Sequence, residues 1–387
     1  MRKPGKLVAL LLAVSMLLCL PAAMAEELTE WEKFSNIFAT TETDEELYQQ
    51  ALEQGATVTL YSISSRCTKV AEAFMKKYPG LECIPFDIDS SELLEKVSRE
   101  HEAGIKSADL LFMKDQDGSV EREYVANKIF YVYHPDDIFA FIDEKYNGQA
   151  PMYIEVSQLF YNTDTYPDGA PLSNIWELTE EKWNGRIVLS NPTDDITWGA
   201  WLTGFCVGEE PDRLAAAYKE LYDEDLVLSE GCENAGYEFL KRFHNNGLIY
   251  YGSSEEVANA IGTAGQQNAP IGFCSSTKYR KAADNGWKMA PVNLYPDTGI
   301  PGVDGLYVVE GCEHPAAAKL LARFMMGGVD GDLSGINPFL TVGSFPIRSD
   351  MTAPEGYISL EDMNLADFDA EAIYYNYPIV MDFWIGL

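Results

Sequence analysis

The residues best placed to do chemistry are hydroxyls, clustered at the ends of short β-rich runs. Ser62, Ser64 and Ser65 follow the run from Thr57 to Tyr61, and Ser90 and Ser91 follow Leu81 to Phe86. Ser190-Asn191-Pro192-Thr193 and Ser275-Ser276-Thr277 stand after two further runs. A hydroxyl both donates and accepts, and just ahead of a helix it sits beside backbone N–H groups that have no partner in the helix. In an open α/β sheet, ligands bind outside the carboxyl ends of the strands, at such helix starts. Any one cluster is explained by ordinary helix capping. Four at comparable places point to capture of a small solute.

Catalytic alternatives find little support. The four histidines, His101, His134, His244 and His314, show no metal-type spacing, and there is no GxSxG elbow, GxxxxGK[ST] loop or GxGxxG fingerprint. Carboxylate pairs such as Asp194-Asp195 read as a solvated charged face in a chain this acidic. The formal net charge of −33 repels phosphate backbones and argues against nucleic-acid and anionic-membrane partners.

The elements that must position the hydroxyls follow from the pattern. Arg2, Lys3 and Lys6, the apolar run Leu7 to Leu20 and Ala23-Met24-Ala25 form a secretory signal peptide over residues 1–25. Cys19 lacks the small residue before it that a lipidation signal requires, so release after Ala25 is expected, to the periplasm or cell exterior. Six cysteines remain, an even number that permits disulfides, with buried free thiols the alternative. Residues 26–54 form an acidic helical segment. Then strand and helix alternate, with Val70, Ala71, Phe74 and Met75 on one helix face and Asp89 and Glu92 in capping-box register. The rhythm resumes from Arg186 and argues for parallel sheets covered by helices. Trp198 and Trp201, three apart, read as core. Two α/β lobes without a flexible linker imply crossing strands, near Tyr153 to Tyr161 and Val292 to Asp304.

The ordered set Leu60 to Arg66, Val70 to Gly80, Ser90-Ser91-Glu92-Leu93, Ala108-Asp109, Tyr161 to Asp164, Trp183 to Arg186, Ala269 to Gly272 and His314 to Leu320 resembles the type 2, iron(III)-type branch of extracellular solute-binding proteins of ABC importers. The resemblance implies a two-lobe α/β clamp with a hinge and an interlobe cleft, catalysing nothing and delivering its solute to a membrane permease. The expected partition is lobe 1 over residues 55–152 and 304–345, lobe 2 over 153–303, and a C-terminal segment, 346–387, packing across the hinge. The expected ligand contacts are Ser64, Ser65, Ser90 and Ser91 from lobe 1, with Asn162, Thr193, Ser276 and Thr277 from lobe 2. Ferric binders of the branch place adjacent tyrosines where this chain has Ser275 to Tyr279, so only Tyr279 is available there for a transported Fe(III). A ferric complex and a phosphorylated or phosphonate anion, the latter favoured by Lys278, stand as ligand expectations, while Asp109, Asp304 and Trp198 would suit a cation. A monomer is expected. The alternatives are a sensory protein presenting ligand to a membrane receptor and an enzyme on the same fold.

Overall fold

The structure is a computed structural model that describes residues 27–387. The expected signal peptide and Cys19 lie outside the described residues. The described residues divide into two units, the first ending at Asn36 and the second spanning Ile37–Leu387. In the first, helix α1 (Glu30–Ser35) is closed by a reciprocal capping box between Thr29 and Glu32.

The second unit begins with α2 (Asp44–Glu53), capped the same way by Thr43 and Glu46. Strand β1 (Thr57–Ser62), α3 (Cys67–Lys77), β2 (Glu82–Asp87), α4 (Ser90–Glu102) and β3 (Leu110–Lys114) follow, then β4 (Phe130–Tyr131) and the long β5 (Ala150–Asn162). The alternation continues with β6 (Ile187–Ser190), α5 (Ile196–Gly204), α6 (Glu210–Tyr222), α7 (Ala235–His244), β7 (Ile249–Tyr251), α8 (Ser254–Gly262) and β8 (Ile271–Ser275). Last come β9 (Met289–Pro291), the long β10 (Gly299–Val309), α9 (Pro315–Met325), β11 (Ser344–Pro346) and α10 (Ala370–Ile385).

The sheet order is β2-β1-β3-β10-β5-β8-β6-β7. At one end β2, β1 and β3 pair in parallel, and at the other β8, β6 and β7 do the same. Between these parallel trios run β10 and β5, antiparallel to each other and to the trio each one touches. Their register shifts at Asp304 and Gly305, where Asp304 lies opposite Tyr153. Strand β5 is buried along nearly its whole length, paired with β10, β11, β8 and β9 and packed through Ile154 and Val156 against Phe345 and Met363. The polar residues on that strand must therefore find partners inside the protein. Gln158 donates to the Tyr357 hydroxyl, and the Asn162 amide donates to the carbonyls of Ile261 and Thr263 at the end of α8.

One core lies under β6 and β8, where Trp176, Trp198, Trp201, Phe205, Phe239 and Phe273 interlock, so the two tryptophans of α5 are core as their spacing predicts. The C-terminal helix lies on α5, with Phe368 seated over Gly204, where a Cβ would come 2.7 Å from its ring. The first turns of α10 also reach the segment after β3, through Tyr374 to Glu123 (2.9 Å) and Arg122 to Glu371 (3.5 Å). The capping box expected at Asp89 and Glu92 does not form. Asp89 is the N-cap residue of α4, but its side chain makes no cap bond. The six cysteines from Cys67 to Cys312 are free thiols, five of them buried.

Gly343 tests how the two ends of the sheet are joined. Its φ of +88° is in the left-handed region, and a Cβ there would run into the backbone carbonyl of Ser276. Gly343→Ala should lower unfolding stability by about 2–3 kcal/mol, read from urea melts. An unchanged midpoint would contradict this packing.

Candidate functional site

The carboxyl ends of the parallel strands from both trios open onto one cavity of about 450 Å³. The first trio contributes Ile63 after β1, Asp89 after β2, and Lys114, Gln116, Asp117 and Ser119 at and after β3. The second contributes Asn191, Asp194 and Asp195 after β6, Gly252, Ser253 and Ser254 after β7, and Ser275 at the end of β8. Glu155 and Ser157 of β5 form the wall between them.

Three helix starts meet here, which would favour an anion if their N–H groups were free. At two of them the protein's own groups take those donors. Asp195 accepts from the N–H of Thr197 (3.0 Å), Ser253 from that of Glu256 (3.3 Å), and Glu256 in turn from that of Gly252 (2.9 Å). The carboxylates dominate the remaining wall. Asp89, Asp117, Asp194 and Asp195 have no cation within salt-bridge distance among the described residues, whereas Lys114 is already paired with Glu155. Burial raises the Asp195 carboxyl above its ordinary range, against the opposing N–H bond of Thr197.

Behind this wall lies a knot of buried charge. Lys114 bridges Glu155 and Asp304, the latter at 4.0 Å, and the Thr277 hydroxyl donates to Glu155 (3.0 Å). Burial pushes the Asp304 carboxyl up to about 7, with Lys114 the main opposing charge. Burial would also raise Glu155, but the charge and hydrogen bond of Lys114, helped by Arg66, hold it at about 2. Arg66 enters from the turn after β1, held by its Nε to Ser64 Oγ (3.1 Å), its Nη2 to the Tyr153 hydroxyl (3.2 Å) and the ring of Phe339 (5.0 Å).

Ser64, Ser65, Asn162, Thr193, Ser276 and Thr277, expected as ligand contacts, fall around the cavity but not on its wall. Ser64 positions Arg66, Thr277 positions Glu155, and Ser276 ties the backbone of Val156 to Gly343. Ser65 and Thr193 are exposed beside the turns that enter the cavity, and Ser90 and Ser91 open α4 directly after Asp89. Asn162 stands at the far end of β5 in a structural role, because a buried amide there satisfies two carbonyls of α8. Tyr279 packs on Tyr357, ring centroids 5.2 Å apart, instead of facing the cavity. Among the described residues no three of His, Cys, Asp and Glu gather as a metal-ligand set.

Of the residues named for a cation, Asp109 is remote, bonded to Thr59 N (2.8 Å) and His314 N (3.1 Å), and Asp304 sits behind Lys114. The Asp194-Asp195 pair, read from sequence as a solvated face, is on the cavity wall. Lys114, Asp117 and Glu155 are on the wall as well, although no sequence motif marks them. The available signal was the polar run Lys114 to Ser119 directly after a buried strand.

The family model of bacterial extracellular solute-binding proteins matches residues 65–327. No curated protein sequence matches the chain. Among solved structures, iron-bound HitA from Pseudomonas aeruginosa aligns over 86% of this chain and 99% of its own, with TM-score 0.63 and 15% identity. The periplasmic binding protein AfuA from Actinobacillus pleuropneumoniae, with fructose-6-phosphate bound, covers 85% and 98%, with TM-score 0.62 and 16% identity. An open form of ferric iron-binding protein A from Mannheimia haemolytica covers 86% and 98%, with TM-score 0.57 and 14% identity. At these identities the likeness is one of fold, the two-lobe fold of periplasmic binding proteins.

The buried carboxyls set a pH dependence. The contribution of Asp304 to stability is complete below its ordinary value of 3.8 and is lost as pH rises through about 7. That of Glu155 is complete above 4.5 and is lost as pH falls through about 2. Asp297, buried and also raised to about 7, adds a slope of the same sign as Asp304. Between roughly pH 4 and pH 7.5 the urea midpoint of Asp304→Asn should therefore decline less than that of the parent protein. Parallel declines would show that Asp304 does not titrate there.

Proposed function

This chain belongs to the bacterial extracellular solute-binding proteins, and from that premise we propose that it is an exported, non-catalytic receptor that captures a small solute carrying a cationic group and hands it to an ABC permease. The observation that carries the choice of ligand is the wall of Asp89, Asp117, Asp194 and Asp195 facing a single lysine that Glu155 already neutralises. The cavity volume suits a small organic molecule. The similar structures, HitA with iron and AfuA with fructose-6-phosphate, mark the range of solutes this fold accommodates. Tyr279 packs on Tyr357 away from the cavity, leaving Tyr251 as the tyrosine on its wall.

The mechanism is closure. We take lobe 1 as residues 55–152 with 304–345 and lobe 2 as 153–303, and the pairing of Tyr153 with Asp304 at the register shift supports a hinge there. Asp89 and Asp117 then stand on one lobe and Asp194 and Asp195 on the other. With the cavity empty, these like charges oppose approach of the lobes. A cationic group between them reverses the sign of that interaction, so the ligand favours the closed state by its differential affinity for it.

In a thermal-shift screen of the chain from Glu26 onward, only compounds bearing a cationic group (diamines, polyamines, thiamine, amino compounds) should raise Tm. A ligand at a hundred times its Kd adds about 2.7 kcal/mol. Asp117→Asn combined with Asp195→Asn should weaken the responding compound about tenfold or more. A response to ferric citrate or glucose-6-phosphate with silence from every cation would overturn this reading.

A further inference from the structure

The acidic wall has a counterpart of opposite sign. Arg66 on the turn after β1 and Lys278 and Arg280 on the turn after β8 come from opposite ends of the sheet and gather around Glu155 and Tyr153. Among the described residues none of the three has a carboxylate within salt-bridge distance. With Lys114 they set four cations against Glu155 and Asp304. Arg66 is fixed on three sides, by Ser64, Tyr153 and Phe339, yet its Nη1 is enclosed and has no acceptor. A charged donor held out of water without a partner is destabilising, and it is satisfied by an arriving oxygen atom. Arg280 is aimed by its bond to the Thr277 carbonyl (2.6 Å). Burial, and next the charge of Arg66, hold Arg280 below the ordinary arginine range, and burial likewise lowers Lys278. Glu155 is the carboxylate these positive groups share, and they stand behind the part of the cavity wall formed by Glu155 and Ser275.

We propose that Arg66, Lys278 and Arg280 form an oxyanion subsite beside the carboxylate wall, so that the captured solute is amphoteric, with a carboxylate or phosphonate at the arginines and an ammonium at the aspartates. The inference rests on the reading that the aspartates take a cationic group and adds the opposite end of the molecule. An oxyanion bridging Arg66 and Arg280 joins the two ends of the sheet as the ammonium does between Asp117 and Asp195. Guanidinium groups suit this, since their forked donors match planar or tetrahedral oxyanions.

Calorimetric titration separates the two claims with four probes: 3-aminopropylphosphonate, 4-aminobutanoate, 1,4-diaminobutane and propylphosphonate. An amphoteric probe should bind about tenfold or more tightly than the diamine or the simple phosphonate. The two amphoteric probes tell a phosphonate end from a carboxylate end. Arg66→Gln and Arg280→Gln should each weaken the amphoteric probe about tenfold and leave the diamine within about twofold. If the diamine binds as tightly as the amphoteric probes and ignores both substitutions, the oxyanion subsite falls while the cation reading stands. If propylphosphonate binds as tightly and ignores Asp117→Asn and Asp195→Asn, the cation reading falls instead. Silence from both amphoteric probes at millimolar concentration, in protein with an intact circular dichroism spectrum, overturns the subsite. Arg280→Lys serves as the folding control, keeping the charge while losing the fork.

Discussion

The pairing of β5 with β10 is the constraint on which everything else depends. These two long strands lie antiparallel at the middle of the main strand order, and each joins a parallel trio, again antiparallel, on its other side. Because the trios run in opposite directions and join different stretches of this pair, β3 at Asp304 to Val308 and β8 at Ser157 to Phe160, their carboxyl ends face a common space. The register shift at Asp304 falls at the centre of the pair, where extended backbone can bend without dismantling either trio. Strands covered on both faces are normally apolar, yet β5 carries Glu155 and β10 carries Asp304, both buried. Removing one partner of such a pair costs far more than the pair itself contributes, since it leaves a charge without compensation. Lys114, Glu155 and Asp304 are therefore better understood as fixing where the strands and the cavity wall lie than as a source of net stability.

That arrangement also explains how a chain with a net charge of −33 can hold charge of both signs in order. Lys114 stands between the aspartates of the wall and the basic residues behind Glu155, and it interacts with Glu155, Asp304 and Asp195 alike. Surface charge is screened over about 8–10 Å at physiological salt, so the local field in a partly enclosed cavity is set by its lining and not by the global excess. The hydroxyls that surround the cavity act mainly by aiming these charges. Ser64 orients Arg66, and Thr277 binds Glu155 through its side chain and Arg280 through its carbonyl.

Much of the architecture was legible from local pattern. The strand–helix alternation and the burial of Trp198 and Trp201 follow from periodicity, which is a property of neighbouring residues. The turns around the cavity were legible too, because small polar residues follow several strands at comparable places, although each cluster alone reads as helix capping. Which residue in each loop faces inward was not. Ser64 and Ile63, Thr193 and Asp194, Ser276 and Ser275 differ by a single step, and one step along an extended chain turns a side chain to the opposite face. The Asp89–Glu92 capping box had the right spacing and did not form.

From sequence alone came the class of fold, the order of its elements and the set of turns around the site, since these depend on residue types at short separation. Only the tertiary structure decided the sign of the cavity and the identity of its wall. Asp194 and Asp195 have the composition of a solvated face, and nothing near them in the chain says that Asp89 and Asp117 stand across the same space. Arg66 and Arg280 are more than two hundred residues apart and come near enough to influence each other only because β1 and β8, on opposite flanks of the β5–β10 pair, run in opposite directions and end toward one another. Electrostatic character belongs to groups assembled by long-range pairing, and local sequence pattern carries no record of distance between turns.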